Sequence, residues 1–240
     1  MFLKRIVTLA FLLLNIADAK SISKCNIAID IGHSPKSQGA YSATGIGEYN
    51  FNKVFAINLY KHLQNKHIGV VFVNPREEEL SLLDRSRIAN ATKATFFLSI
   101  HHDSVNKKYL AKNTKLNTMY SNKYKGYSLF VSKKNENYFK SLLLARTIAK
   151  KLKSTQLTPS IHHMLNDEGE NKVLLDNSGV FLYDNLVVLK NNKIPAVLLE
   201  VGVIVNQDEE KKLQDLNYIN WYSNIVAKSL EESCKNLDLI

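Results

Sequence analysis

What the sequence lacks narrows its classes first. Beyond the first 19 residues, no stretch is long and apolar enough to cross a bilayer as a helix, which takes about 20 such residues. RNP, zinc-knuckle and helix-turn-helix patterns are absent and the lysines are scattered, so nucleic acid is not an expected partner. There is no internal repeat and no low-complexity linker, hence no sign of a second binding module. A compact metal motif of the H-E-x-x-H kind is missing as well. Cysteine is scarce: Cys25 and Cys234 stand near opposite ends of the chain. In an oxidising compartment such a pair reads as a disulfide joining the first strand to the last helix; the other reading is two buried thiols.

The chain opens with a charged and then an apolar segment. Lys4 and Arg5 precede an apolar run from Ile6 to Ile16, and Ala17-Asp18-Ala19 has the small residues of an A-x-A cleavage site. Residues 1–19 are therefore expected to be a signal peptide, with export to the periplasm or cell envelope; an uncleaved anchor is the other reading. Cleavage lowers the net charge only from +10 to +9. The remaining residues, 20–240, suit one ample domain better than two small ones. A basic exported protein would feel a long-range attraction to anionic envelope polymers.

Apolar runs of strand length alternate with helical patterns. Strands are expected at Asn26 to Ile31, Gly69 to Asn74, Thr95 to Ile100, Tyr127 to Val131 and Ala196 to Val203. Helices are expected at 48–66, where Phe51, Phe55, Leu59 and Leu63 recur every four residues, and at 80–91, 138–152, 208–216 and 221–234. Strands apolar on both faces and separated by helices indicate an α/β fold, with a mostly parallel sheet covered on both sides. Functional residues then belong where strands end. Two segments, 104–126 and 154–185, break the rhythm and read as long functional or irregular loops.

Chemistry-bearing residues do fall at those strand ends. His33 follows the first strand, Glu48 opens the first helix after a glycine-containing loop, and His101 follows the third strand. Two imidazoles and one carboxylate would leave zinc an open fourth position, the mark of a catalytic site. Glu200 lies inside the apolar fifth strand, where an ionised carboxylate is costly unless a cation stabilises it. Each has a plainer reading. A histidine after a strand is more often a cap or core residue, a glutamate at a helix start favours the dipole, and Glu200 could pair with a lysine. The spacing alone leaves both readings open.

The strings IDIGHSPKSQGA…GIGEYNFN, LLDRSRIANATKATFFLSIHHDSV and IPAVLLEVGVIVNQDEE resemble, in order, the signature blocks of the zinc-dependent N-acetylmuramoyl-L-alanine amidases of the amidase-3 family. The resemblance covers about Asn26 to Lys228. It implies a three-layer αβα fold with a mostly parallel, about six-stranded sheet. It also implies one Zn2+ held by His33, Glu48 and His101, with Glu200 acting in catalysis. The implied reaction is hydrolysis of the amide between N-acetylmuramic acid and L-alanine in peptidoglycan. A zinc peptidase cutting within the stem peptide, or a non-catalytic wall-binding or activator protein, are the alternatives.

Departures from the family pattern raise further questions. Ser99-Ile100-His101-His102-Asp103 stands where many members read S-I-H-A-N. His102 would point to the opposite side of an extended chain from His101. Asp103 could orient a ligand histidine or simply end the strand. An Arg-Gly pair is replaced by Asp176-Asn177-Ser178-Gly179. In 154–185, Glu168 or Glu170 could block the metal until an activator protein displaces the segment, and His162 and His163 could line the substrate groove. A solvated loop is the other reading. The protein is expected to be monomeric.

Overall fold

The computed structural model describes residues 25–165 and 171–236. The expected signal peptide, and Glu168 and Glu170, lie outside the described residues. In chain order the elements begin with β1 (Asn26–Ile31), α1 (Glu48–Gln64), β2 (Gly69–Phe72), α2 (Leu82–Ala91) and β3 (Phe96–Asp103). Next come β4 (Ala111–Asn113), β5 (Thr118–Tyr120), β6 (Ser128–Val131), α3 (Tyr138–Ser154), β7 (Val173–Asp176) and β8 (Val180–Leu182). The chain then forms α4 (Val187–Lys190), β9 (Ala196–Val203), α5 (Gln207–Gln214) and α6 (Leu216–Lys235).

Seven strands build the main sheet in the order β2-β1-β3-β9-β6-β8-β7. The first four run parallel, β6 is antiparallel to β9, β8 parallel to β6, and β7 antiparallel to β8. Successive side chains of a strand face opposite ways, so one sheet supports two cores. Ile27, Ile29, Leu98, Ile100, Leu199 and Val201 pack under α1, α3 and α6, through residues such as Phe55, Ile148 and Val226. Ala28, Phe97 and Leu198 face a smaller core containing Ala89 of α2 and Val188 and Leu189 of α4. The α/β, three-layer, mostly parallel arrangement read from the sequence is the one present.

The sheet has one strand more than the expected six because 154–185 is not one irregular loop. Its second half forms the short β7–β8 hairpin, turning at Gly179 with φ +80°, a left-handed conformation that favours glycine. Strands of three and four residues are too short for alternation to show in sequence. Likewise, 104–126 contains the small β4–β5 hairpin, a sheet of its own. The last helix starts five residues before its expected start of 221. Asp215 caps it, its side chain accepting from the Asn217 amide.

Cys25 and Cys234 form a disulfide that joins the start of β1 to the end of α6 across 209 residues of sequence. Closing so long a loop chiefly restricts the unfolded chain. Replacing both cysteines by serine is expected to lower the unfolding free energy by about 2–4 kcal/mol. Urea titration, with an unchanged far-ultraviolet spectrum for the folded variant, measures it.

Candidate metal centre and active site

The site is built where β1, β3 and β9 reach their carboxyl ends. Beyond β1 the chain turns sharply: Gly32 lies so close to the His101 ring that a Cβ there would meet it at 2.4 Å, and His33 has φ +68°. At Gly39 (φ +78°) a Cβ would come within 2.5 Å of Glu48 Oε2 and 2.6 Å of the His33 ring. The glycine loop thus folds back over the residues it separates in sequence. Glu48, at the first turn of α1, where the dipole favours an anion, lies between the two histidines.

Glu48 Oε2 is 2.9 Å from His33 Nε2, and its Oε1 is 2.9 Å from His101 Nδ1. The amides of Ala40 (3.2 Å) and His102 (3.3 Å) donate to the same carboxylate, as does the Asn52 side-chain amide (3.3 Å). Burial works against ionisation of Glu48. The hydrogen bonds to His101 and His33 outweigh it and hold the carboxyl well below the usual carboxylate range. One ligand atom from each of His33, Glu48 and His101 lies within 4.8 Å of the others, a spacing that a single metal ion could bridge.

The register of the sheet brings Glu200 to the same place. It sits opposite His101 across the β3–β9 pair and opposite Ser128 across β9–β6. Its Oε2 is shut off from solvent with no hydrogen-bond partner. Burial, then the Asp103 and Glu48 carboxylates, push its pKa well above the usual value. Beside the cluster lies a cleft of about 440 Å³, lined by His33, His101, Glu79, Arg85, Leu82 and Val187 among others.

Against this geometry, the sequence profile described as N-acetylmuramoyl-L-alanine amidase matches residues 27–232. The chain belongs to that family. It is 30% identical, over 225 residues, to a protein of Buchnera aphidicola subsp. Acyrthosiphon pisum (strain APS) that carries the same amidase name; the match covers 87% of this chain and 94% of that one. The fold is shared with the amidase Ami1 from Mycobacterium smegmatis, with TM-score 0.72 and 14% identity over 90% of this chain and 99% of that one. The catalytic domain of CwlV, an N-acetylmuramoyl-L-alanine amidase from Bacillus (Paenibacillus) polymyxa var. colistinus, aligns with TM-score 0.63 and 25% identity over 90% and 98%. As a member of this amidase family, the chain is an enzyme of cell-wall hydrolysis.

The structure separates the neighbours of His101 within the family block. His102 points to the opposite face, between Phe51 and Phe55, with Nδ1 2.7 Å from Asn52 Oδ1. Asp103 does not touch His101. It faces His163 Nε2 at 2.7 Å and His162 Nε2 at 3.3 Å, so these two histidines are packed against a carboxylate rather than lining an open groove. Asp176-Asn177-Ser178-Gly179 forms the β7–β8 turn, and β8 lies two strands along the sheet from β9.

Sequence reasoning passed over the residues that support the cluster. Arg85, buried on α2, donates from one guanidinium nitrogen to Asp30 Oδ1 and Ile31 O, both at 2.7 Å, and from the other to His33 O at 2.5 Å. The second Asp30 oxygen accepts from Ser99 Oγ at 2.8 Å. The available signal was Asp30 itself, an acid inside an apolar strand like Glu200.

Arg85→Met leaves Asp30 buried and unpaired, and is expected to cost about 3–5 kcal/mol in urea unfolding. Combining it with Asp30→Leu should recover part of that loss. His102 supplies a pH test, since burial lowers its pKa from 6.5 to about 3. Between those values the unfolded chain binds a proton that the folded chain cannot. His102 therefore contributes stability above its unfolded pKa, and that contribution is lost as pH falls toward its folded one. His102→Asn is expected to make the slope of unfolding free energy against pH, measured between about pH 4 and 6, shallower by up to roughly one proton.

Proposed function

We propose that this amidase cleaves the bond between the lactyl group of N-acetylmuramic acid and L-alanine of the stem peptide with one zinc ion held by His33, Glu48 and His101, and with Glu200 as the proton carrier. What supports the reading is a single observation. Two imidazoles and a carboxylate converge within 4.8 Å beside Glu200, whose buried Oε2 lacks a partner. The donor set of two nitrogens and one oxygen suits zinc. A dication would also answer the cost of the uncompensated acid in β9.

Zinc, when bound, polarises the scissile carbonyl and acidifies water at the site. The remaining steps fall to side chains. Glu200 accepts a proton as water attacks the carbonyl carbon, then delivers it to the departing amine nitrogen of L-alanine. Its raised pKa favours the protonated carboxyl that the second transfer requires. The cleft beside His33 and His101 offers apolar walls at Leu82, Val187 and Val188 and charged groups at Glu79 and Arg85 for the flanking substrate.

Peptidoglycan lies outside the cytoplasm, and the Cys25–Cys234 bridge suits an oxidising environment. We therefore propose export, with residues 1–19 as the signal peptide and the periplasm or cell envelope as destination.

Glu200→Ala is expected to keep its zinc while losing about 10²–10⁴-fold in muropeptide cleavage. His33→Ala is expected to lose both. Unchanged cleavage by Glu200→Ala sinks the assignment of the proton carrier. Masses of the products distinguish an amidase, which frees whole stem peptides beginning with L-alanine, from a peptidase cutting within them.

A further inference from the structure

A second group of potential ligands lies at the same end of the sheet and plays no part in the mechanism above. Asp103 Oδ2 at the end of β3 receives His163 Nε2 at 2.7 Å and His162 Nε2 at 3.3 Å, and one ligand atom from each residue lies within 4.8 Å of the others. The two histidines come from the 3-10 turn His162–Leu165, about 60 residues further along the chain. We propose that Asp103, His162 and His163 form a second divalent-cation site, suited to zinc or cobalt, that clamps this turn onto β3.

The chemistry of the group fits such a site. Two imidazoles and a carboxylate are the ligand types of zinc and neighbouring transition ions. The side chains are almost wholly buried, with 7–10% of their surfaces exposed. Their orientations are fixed by the groups around them. The Ser104 amide donates to Asp103 Oδ1 at 2.8 Å, leaving Oδ2 for the histidines. Phe130 and Phe181 hold the His163 ring edge-on at 4.9 and 5.4 Å, and Tyr124 lies 5.4 Å from the His162 ring. Ser160 Oγ is 2.8 Å from His162 Nδ1, the nitrogen turned away from Asp103. When that hydroxyl accepts from Nδ1–H, Nε2 turns its lone pair toward Asp103, the tautomer that would bind a cation between them. Metal-bound histidines commonly have their other nitrogen held this way.

Lys172 is the counterweight. Its Nζ is 3.3 Å from His163 Nδ1 and lies over the Phe130 and Tyr183 rings at 5.8 and 5.3 Å. An ammonium donating to Nδ1 places the His163 proton on Nε2, where it bonds Asp103. Cation binding moves that proton off Nε2 and requires the lysine to turn away. Without a cation the group is a hydrogen-bonded contact; with one it becomes a clamp. Glu200 lies in the fields of both Glu48 and Asp103, so an ion at either cluster would be felt by it.

Counting ions tests the proposal without reference to activity. Full-length protein, stripped of metal and titrated with zinc, is expected to hold two ions per chain by native mass spectrometry. The His162→Ala/His163→Ala double variant is expected to hold one. His33→Ala should also hold one, by losing the other ion, so failure of the first site and failure of the second give different patterns. Asp103→Asn preserves shape and covers the case in which the double variant does not fold; it should weaken the second ion roughly tenfold or more. A folded double variant that holds as many ions as the wild type, or a single wild-type ion that His33→Ala loses, overturns the proposal.

Discussion

Arg85 stands where α2 meets the end of β1, and its buried guanidinium connects parts of the chain that would otherwise be independent. It bonds the Asp30 carboxylate within the strand and the carbonyls of Ile31 and His33 beyond it. Asp30 in turn reaches Ser99 on β3. A helix, two adjacent strands and the left-handed turn carrying His33 are thus held in one network. Burying a charge is tolerable only when its partners are all in place. The same condition that makes the network costly to break fixes the position of the first candidate ligand.

The three acids Glu48, Glu200 and Asp103 illustrate how environment divides like groups. Glu48 is buried, but its two imidazole neighbours and three amide donors keep it ionised. Glu200 is pushed the other way by burial and by the Asp103 and Glu48 carboxylates. Asp103 is held down by His163 and His162, against the effect of burial. Carboxyls pushed apart in this way suit different tasks, one holding a cation and another carrying a proton. Their separation rests on which neighbours the sheet supplies, since the side chains are chemically alike.

Much of the fold is legible in the sequence. The long strands β1, β3 and β9 are continuous apolar runs, and α1 and α3 have clear helical spacing, so their existence follows from periodicity alone. The short β7–β8 hairpin escaped because strands of four and three residues carry no period. Of the site, His33 and His101 could be picked out after strands, Glu48 at a helix start and Glu200 inside an apolar strand, but spacings of 15 and 53 residues match no local motif, and only the family resemblance joined them. Arg85 escaped because a charged residue on an amphipathic helix reads as surface. His162 and His163 were visible as a pair, yet nothing local tied them to Asp103.

The sequence by itself determined the elements, the alternation that gives the sheet two buried faces, and the membership of the amidase family carried by three motif blocks. These are local or nearest-neighbour properties of residue order. Tertiary structure alone decided which side chains share a point in space. The β3–β9 register sets Glu200 beside His101, the glycine loop folds His33 and Glu48 together, and the 3-10 turn delivers two histidines to Asp103. Such meetings depend on strand register and loop closure over long separations, which no window of sequence encodes.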